Sequence, residues 1–161
     1  MVVKSIVDED FVNYKKASMF IGMPRCNFKC EKECGQRVCQ NSILATSPDI
    51  VISKYNLCKR YLSNPITQSI VFGGLEPMDS FKDLCSFIYT IRFEYQCQDD
   101  IVIYTGYTKE ECEQNNWISE LMPFKNIIIK FGRYVPNQQS HYDPILGVNL
   151  ASENQYAERI N

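Results

Sequence analysis

This sequence of 161 residues has no excess charge of one sign, no long apolar run and no low-complexity stretch. Lysine and arginine number 17 against 19 aspartates and glutamates, for a formal net charge of -2. The cations are scattered, so there is no electrostatic footprint for sequence-nonspecific nucleic-acid binding. No apolar run approaches the roughly 20 residues needed to span a bilayer, and the N-terminus lacks the basic, apolar and small-residue succession of a secretory signal. A soluble, cytoplasmic protein with neither membrane nor nucleic-acid partner is the expectation. Glycine and proline, seven of each, form no linker or repeat, and the length suits one domain over residues 1–161. The single histidine, His141, lies in a polar stretch and reads as a surface residue.

Cysteine is plentiful, with eight residues. An even number suggests disulfides in a secreted chain, but no export signal supports that here. Cys58, Cys85, Cys97 and Cys112 stand singly in segments that read as helices or their ends, where a free cysteine is a small buried hydrophobe. Cys26, Cys30, Cys34 and Cys39 instead crowd into fourteen positions.

Short apolar runs alternate with helical patterns, the mark of βαβ units. Ala17 to Met23 reads as the first strand and leads straight into the cysteine segment. Asp49 to Leu62 has helical spacing, Gln68 to Phe72 is a buried strand closed by Gly73-Gly74, and Asp79 or Ser80 caps a helix carrying Phe81, Leu84, Phe87, Ile88 and Ile91. Ile101 to Tyr104 is a strand ending at Gly106; Thr108 caps a helix to about Leu121, before Pro123; and Asn126 to Phe131 is a strand closed by Gly132. Beyond Arg133 the chain is polar and irregular until a last short strand within Ile145 to Leu150. The fold class is α/β with mainly parallel strands, and such sheets bind ligands at the carboxyl ends of their strands.

Three thiolates can hold three irons of a cubane cluster and leave the fourth open to substrate, whereas four thiolates close it. The spacing Cys26-x3-Cys30-x3-Cys34-x4-Cys39 matches neither zinc knuckles nor the bacterial ferredoxin run. A noncatalytic four-cysteine zinc module is therefore a competing reading. Gly73-Gly74-Leu75-Glu76-Pro77 comes just after a strand, where paired glycines permit close backbone approach and the glutamate can accept from an ammonium. A zinc site would need neither.

Taken in order, these motifs resemble the radical S-adenosylmethionine superfamily, and within it the activating proteins of anaerobic class III ribonucleotide reductases. The resemblance spans nearly the whole chain and rests on the cysteine loop after the first strand, Cys39-Gln40-Asn41, Gly73 to Pro77, Tyr104-Thr105-Gly106-Tyr107, and the tail Gly147 to Gln155. It implies a partial, open (β/α) barrel, a [4Fe–4S] cluster, and S-adenosylmethionine as cosubstrate. The family's usual loop is Cys-x3-Cys-x2-Cys, but Glu33 stands where its third cysteine belongs. Val38 before Cys39 and Asn41 after it match the flanks of the family's third cysteine, so Cys26, Cys30 and Cys39 are the implied ligands and Cys34 the alternative third.

The resemblance further implies that Gly73, Gly74 and Glu76 hold the methionyl amino group, with Val38, Gln40, Asn41, Tyr104, Gly106, Ser152 and Asn154 lining the adenosyl side, and Tyr107 at the same edge. Chemistry then belongs to the cluster, with no side chain as general acid or base. The implied partners are the large subunit of anaerobic ribonucleotide reductase, on which a glycyl radical is generated, and an electron donor such as a flavodoxin or ferredoxin. Another glycyl-radical protein or a small molecule is the alternative substrate, and a homodimer is compatible with the pattern.

Overall fold

The continuous apolar runs become the middle of a sheet, and polar segments become its edges and covers. The computed structural model describes residues 1–161. Strands β1 (Val2–Val3), β2 (Ser5–Asp10) and β3 (Ser18–Met23) come first, then helices α1 (Lys29–Cys34) and α2 (Ser42–Thr46). After these come β4 (Ile50–Val51), α3 (Lys54–Leu62), β5 (Ser69–Gly74), a 3-10 turn (Pro77–Ser80), α4 (Phe81–Tyr89) with a π-helical extension (Thr90–Glu94), and β6 (Asp100–Tyr104). Helices α5 (Lys109–Gln114) and α6 (Trp117–Leu121) precede β7 (Ile127–Phe131), β8 (His141–Asp143), β9 (Val148–Leu150) and β10 (Tyr156–Arg159).

One six-stranded sheet has the order β10-β7-β6-β5-β3-β2. The inner four strands are parallel, and β2 and β10 are antiparallel edges. Sequential neighbours along the parallel stretch mean that successive crossovers step the same way. Right-handed crossovers stepping one way leave their helices on one face. That face carries the main core, with Ile70, Phe72, Ile101, Ile103, Ile127 and Ile129 packed under Leu57, Leu84, Phe87 and Leu121. The alternate residues Val71, Val102 and Ile128 face the other way, under Tyr14, Leu146, Leu150 and Ala157. Both faces are buried, which is why β5, β6 and β7 read as unbroken apolar runs.

Several elements differ from the sequence reading. The helix expected from Asp49 starts only at Lys54, because Ile50 and Val51 pair with Val3 and Val2, and Ser53 caps the helix by accepting from the Asn56 N–H. Thr108 and Glu111 form a full capping box, but the helix expected to run to Leu121 breaks at Asn115-Asn116, where Asn116 adopts φ 60°. The tail is a β8–β9 hairpin succeeded by β10, which pairs with β7. No helix is long and apolar enough to cross a membrane.

Candidate functional site

The carboxyl ends of β3, β5, β6 and β7 open into a cleft of about 430 Å³, a size ordinary for a small-molecule site. Cys26, Cys30 and Cys39 line it, with Val38, Gln40 and Asn41 beside Cys39. Gly73, Gly74, Glu76, Tyr104 and Gly106 line it from the neighbouring strand ends. Cys34 does not. It ends α1, and its single S–H is within reach of the Gln36 carbonyl at 3.4 Å and the Glu31 carbonyl at 3.8 Å. Ser152 and Asn154 also stand back: buried Ser152 accepts from the Val135 N–H, and Asn154 donates to the Arg133 carbonyl, so both brace the strand-end segment 133–135. Their neighbours Leu150, Ala151 and Gln155 reach the cleft instead.

The cysteine loop is anchored at both ends. At its start, the Arg25 carbonyl accepts from the Glu76 N–H at 2.7 Å, and the Asn27 N–H donates to Asp79 at 2.8 Å. The Tyr107 hydroxyl donates to the same Asp79 carboxylate at 2.6 Å and accepts from the Asn27 amide at 2.7 Å, so the second tyrosine of the Tyr-Thr-Gly-Tyr segment ties the loop down rather than lining the cleft. At its end, the Cys39 N–H donates to the Glu31 carboxylate at 3.1 Å. Glu33, which occupies the position of the missing cysteine, lies 3.3 Å from the Arg133 guanidinium. Of the residues between Cys30 and Cys39, the first four lie in α1, whose two glutamates fasten it to the third cysteine and to the segment after β7.

Burial pushes the Cys26 thiol up to about 12, opposed by an N–H bond from Phe28 and reinforced by the charges of Glu76, Asp79 and Cys30. Burial also raises Cys30, with the neighbouring Cys39 adding to it. Cys26 and Cys30 are thus held in the thiol form, so metal loading there must release protons.

Glu76 is buried and fixed. Its Oε1 accepts from the Thr105 hydroxyl at 2.7 Å and the Met78 N–H at 3.1 Å, and its Oε2 accepts from the Gly106 N–H at 2.8 Å. Burial pushes its carboxyl up to about 7 against these three bonds. A carboxyl whose folded pKa is raised takes up a proton on folding, so its contribution is full below the unfolded value of about 4.3 and is lost as pH rises through about 7. Across pH 4.5 to 7.5, the unfolding free energy of the metal-free wild type should therefore fall relative to Glu76→Gln, by on the order of 3 kcal/mol. A constant difference in denaturant unfolding over that range would contradict this.

Gly74 has φ +81°, and a Cβ there would lie 2.9 Å from Gly22 Cα and 2.6 Å from a Leu44 methyl. A Cβ on Gly73 would press on the Phe20 ring at 3.0 Å. Paired glycines are thus required first by the packing of β5 against β3 and α2. The sequence reading missed Lys29, Lys130 and Arg133, all of which line the cleft. A lysine inside the apolar run NIIIKF was the available signal for Lys130.

The model of the 4Fe-4S single cluster domain family matches residues 15–156. No curated protein and no solved structure gives a significant match.

Proposed function

Because the chain belongs to the 4Fe-4S single cluster domain family, we propose that it is an iron-sulfur activase that cleaves S-adenosylmethionine and generates a glycyl radical on the large subunit of anaerobic ribonucleotide reductase. The observation that carries this reading is one cleft shared by three thiols and the Gly-Gly-Leu-Glu segment, with the fourth thiol of the loop outside it. Cys26, Cys30 and Cys39 would each hold a different iron, which leaves one iron free for the methionyl amino and carboxylate groups. The one-directional order of the parallel strands supports a partial (β/α) barrel over a doubly wound sheet, whose order would reverse.

Held by Cys26, Cys30 and Cys39, the cluster would supply the electron for reductive cleavage of the sulfonium carbon–sulfur bond, to give methionine and the 5′-deoxyadenosyl radical that would take a hydrogen atom from the target glycine. The chain's own residues bind and orient. Glu76 Oε2 accepts a single bond and keeps a lone pair for an N–H of the methionyl amino group. Phe20, Val38 and Tyr104 supply apolar and aromatic wall that excludes water. A flavodoxin or ferredoxin supplies the reducing electron in this reading. The test is electron paramagnetic resonance of the reductase large subunit mixed anaerobically with reduced protein and S-adenosylmethionine. A glycyl radical signal is expected; cleavage without that signal would contradict the assigned partner.

A further inference from the structure

Helix α1 carries one of the proposed cluster ligands and has two differently lined sides. Lys29 and Cys30 line the cleft, whereas Phe28, Glu31, Lys32, Gly35, Gln36 and Arg37 line a shallow groove that shares no residue with it. Lys32 is two residues from Cys30 and therefore stands roughly 200° around the helix from it. The groove thus lies on the back of the helix that presents the Cys30 thiol.

Lys32 and Arg37 are exposed, and neither side chain meets an acid. The two glutamates of α1 are engaged elsewhere: Glu31 accepts from the Cys39 N–H at 3.1 Å, and Glu33 lies 3.3 Å from the Arg133 guanidinium. Lys29 is turned to Glu111. The whole chain carries a net charge of -2, so a cationic groove is a local reversal of sign that draws in an anion. Three thiolates outweigh the charge of an oxidised [4Fe–4S] core, so a loaded loop is itself anionic and repels an anionic carrier unless cations stand between. The groove does not suit the target glycine. A hydrogen atom is taken only from a carbon inside the cleft, whereas an electron needs no such contact and can enter through α1 from behind.

We infer that the groove on the back of α1 is the docking site of a small, acidic, one-electron carrier protein, with Lys32 and Arg37 as its charge contacts and Phe28 as its apolar one. The inference rests on the S-adenosylmethionine reading above, which requires a reducing electron. On docking, one electron leaves the reduced carrier, which is oxidised, and enters the cluster, which is reduced; no atom or proton passes between them. Carrier and substrate then use opposite sides of one loop, and neither has to leave for the other to bind. Charge contacts of this kind act mainly on encounter and are weakened by salt.

The test is calorimetric titration of cluster-reconstituted protein with an oxidised flavodoxin, at low salt and at an ionic strength of about 0.15 M. Wild type should bind and lose about tenfold in affinity between the two conditions. Lys32→Gln/Arg37→Gln should bind about tenfold more weakly at low salt, with a flatter salt dependence. Lys59→Gln/Lys125→Gln, which removes the same charge from exposed positions on α3 and before β7, should bind as wild type does. Cluster reduction by reduced flavodoxin, followed by stopped-flow absorbance, should slow in step with affinity in the groove variant, while reduction by dithionite and the iron and sulfide content stay unchanged. If the double variant loses its cluster, Lys32→Gln and Arg37→Gln singly decide. Wild type that does not bind, binding that salt does not weaken, or equal affinity in the groove and control variants overturns the inference alone. So does a groove variant that keeps flavodoxin and loses the reductase large subunit, which would assign the face to the reductase. A full cluster that dithionite reduces while S-adenosylmethionine stays intact overturns the underlying reading, whatever flavodoxin does.

Discussion

Cys39→Ala should abolish reductive cleavage of S-adenosylmethionine, whereas Cys34→Ala should largely spare it. Spacing alone leaves the third ligand open, since both thiols lie within reach of Cys30 along the chain. Their surroundings separate them. Cys39 lines the cleft with Cys26 and Cys30, its charge is felt by Cys30, and its N–H is held by Glu31. Cys34 is the last residue of α1, ahead of Gly35 in the left-handed conformation, and its thiol is turned to the carbonyls of its own helix end. Losing a cluster ligand removes the chemistry; losing Cys34 removes one weak S–H bond. Iron and sulfide content and 5′-deoxyadenosine yield, measured side by side, check this, and the reverse pattern would move the third ligand to Cys34.

The second large effect belongs to Gly74→Ala, which should lower stability by about 3 kcal/mol or more. A left-handed backbone costs a side-chain-bearing residue roughly 1–2 kcal/mol, and forcing a methyl into packed surroundings costs roughly 1–3 more. At Gly74 both apply, because the new Cβ meets the Gly22 backbone as well as Leu44. Gly35 is the control: its φ is +67°, yet nothing lies within 4 Å of its would-be Cβ, so Gly35→Ala should cost only the backbone term. In thermal unfolding of the anaerobic proteins, Gly74→Ala should melt roughly 6–12 °C below wild type and Gly35→Ala only a few degrees below. Equal shifts would mean that the close approach of Gly74 to Gly22 does not govern this corner of the cleft.

The central strands were legible because burial on both faces writes an unbroken apolar run, as in Ile101 to Tyr104 and Asn126 to Phe131. The edges were not. Ser5–Asp10 (SIVDED) is half charged, and it is a strand because β3 offers it an edge to pair with. Ile50 and Val51 have helical spacing with the residues of α3, but pairing with Val2 and Val3 draws them out of the helix. At the site, the glycines, Glu76 and the cysteines were legible as motifs. Tyr107 was legible as part of one, although its work is to tie Asn27 to Asp79 across residues far apart in sequence. Ser152 and Asn154 shared a motif with residues that reach the cleft and yet brace the backbone behind it. Which residue of a tail faces inward depends on the turn that carries it, and composition does not encode that turn.

One measurement bears most directly on the central claim: chromatographic analysis of a reaction in which the anaerobically reconstituted, dithionite-reduced protein is incubated with S-adenosylmethionine. Equal amounts of methionine and 5′-deoxyadenosine, formed only with four irons and four sulfides per chain and lost in Cys26→Ala, are the expected result. A protein that carries its full cluster and leaves S-adenosylmethionine intact would contradict the account.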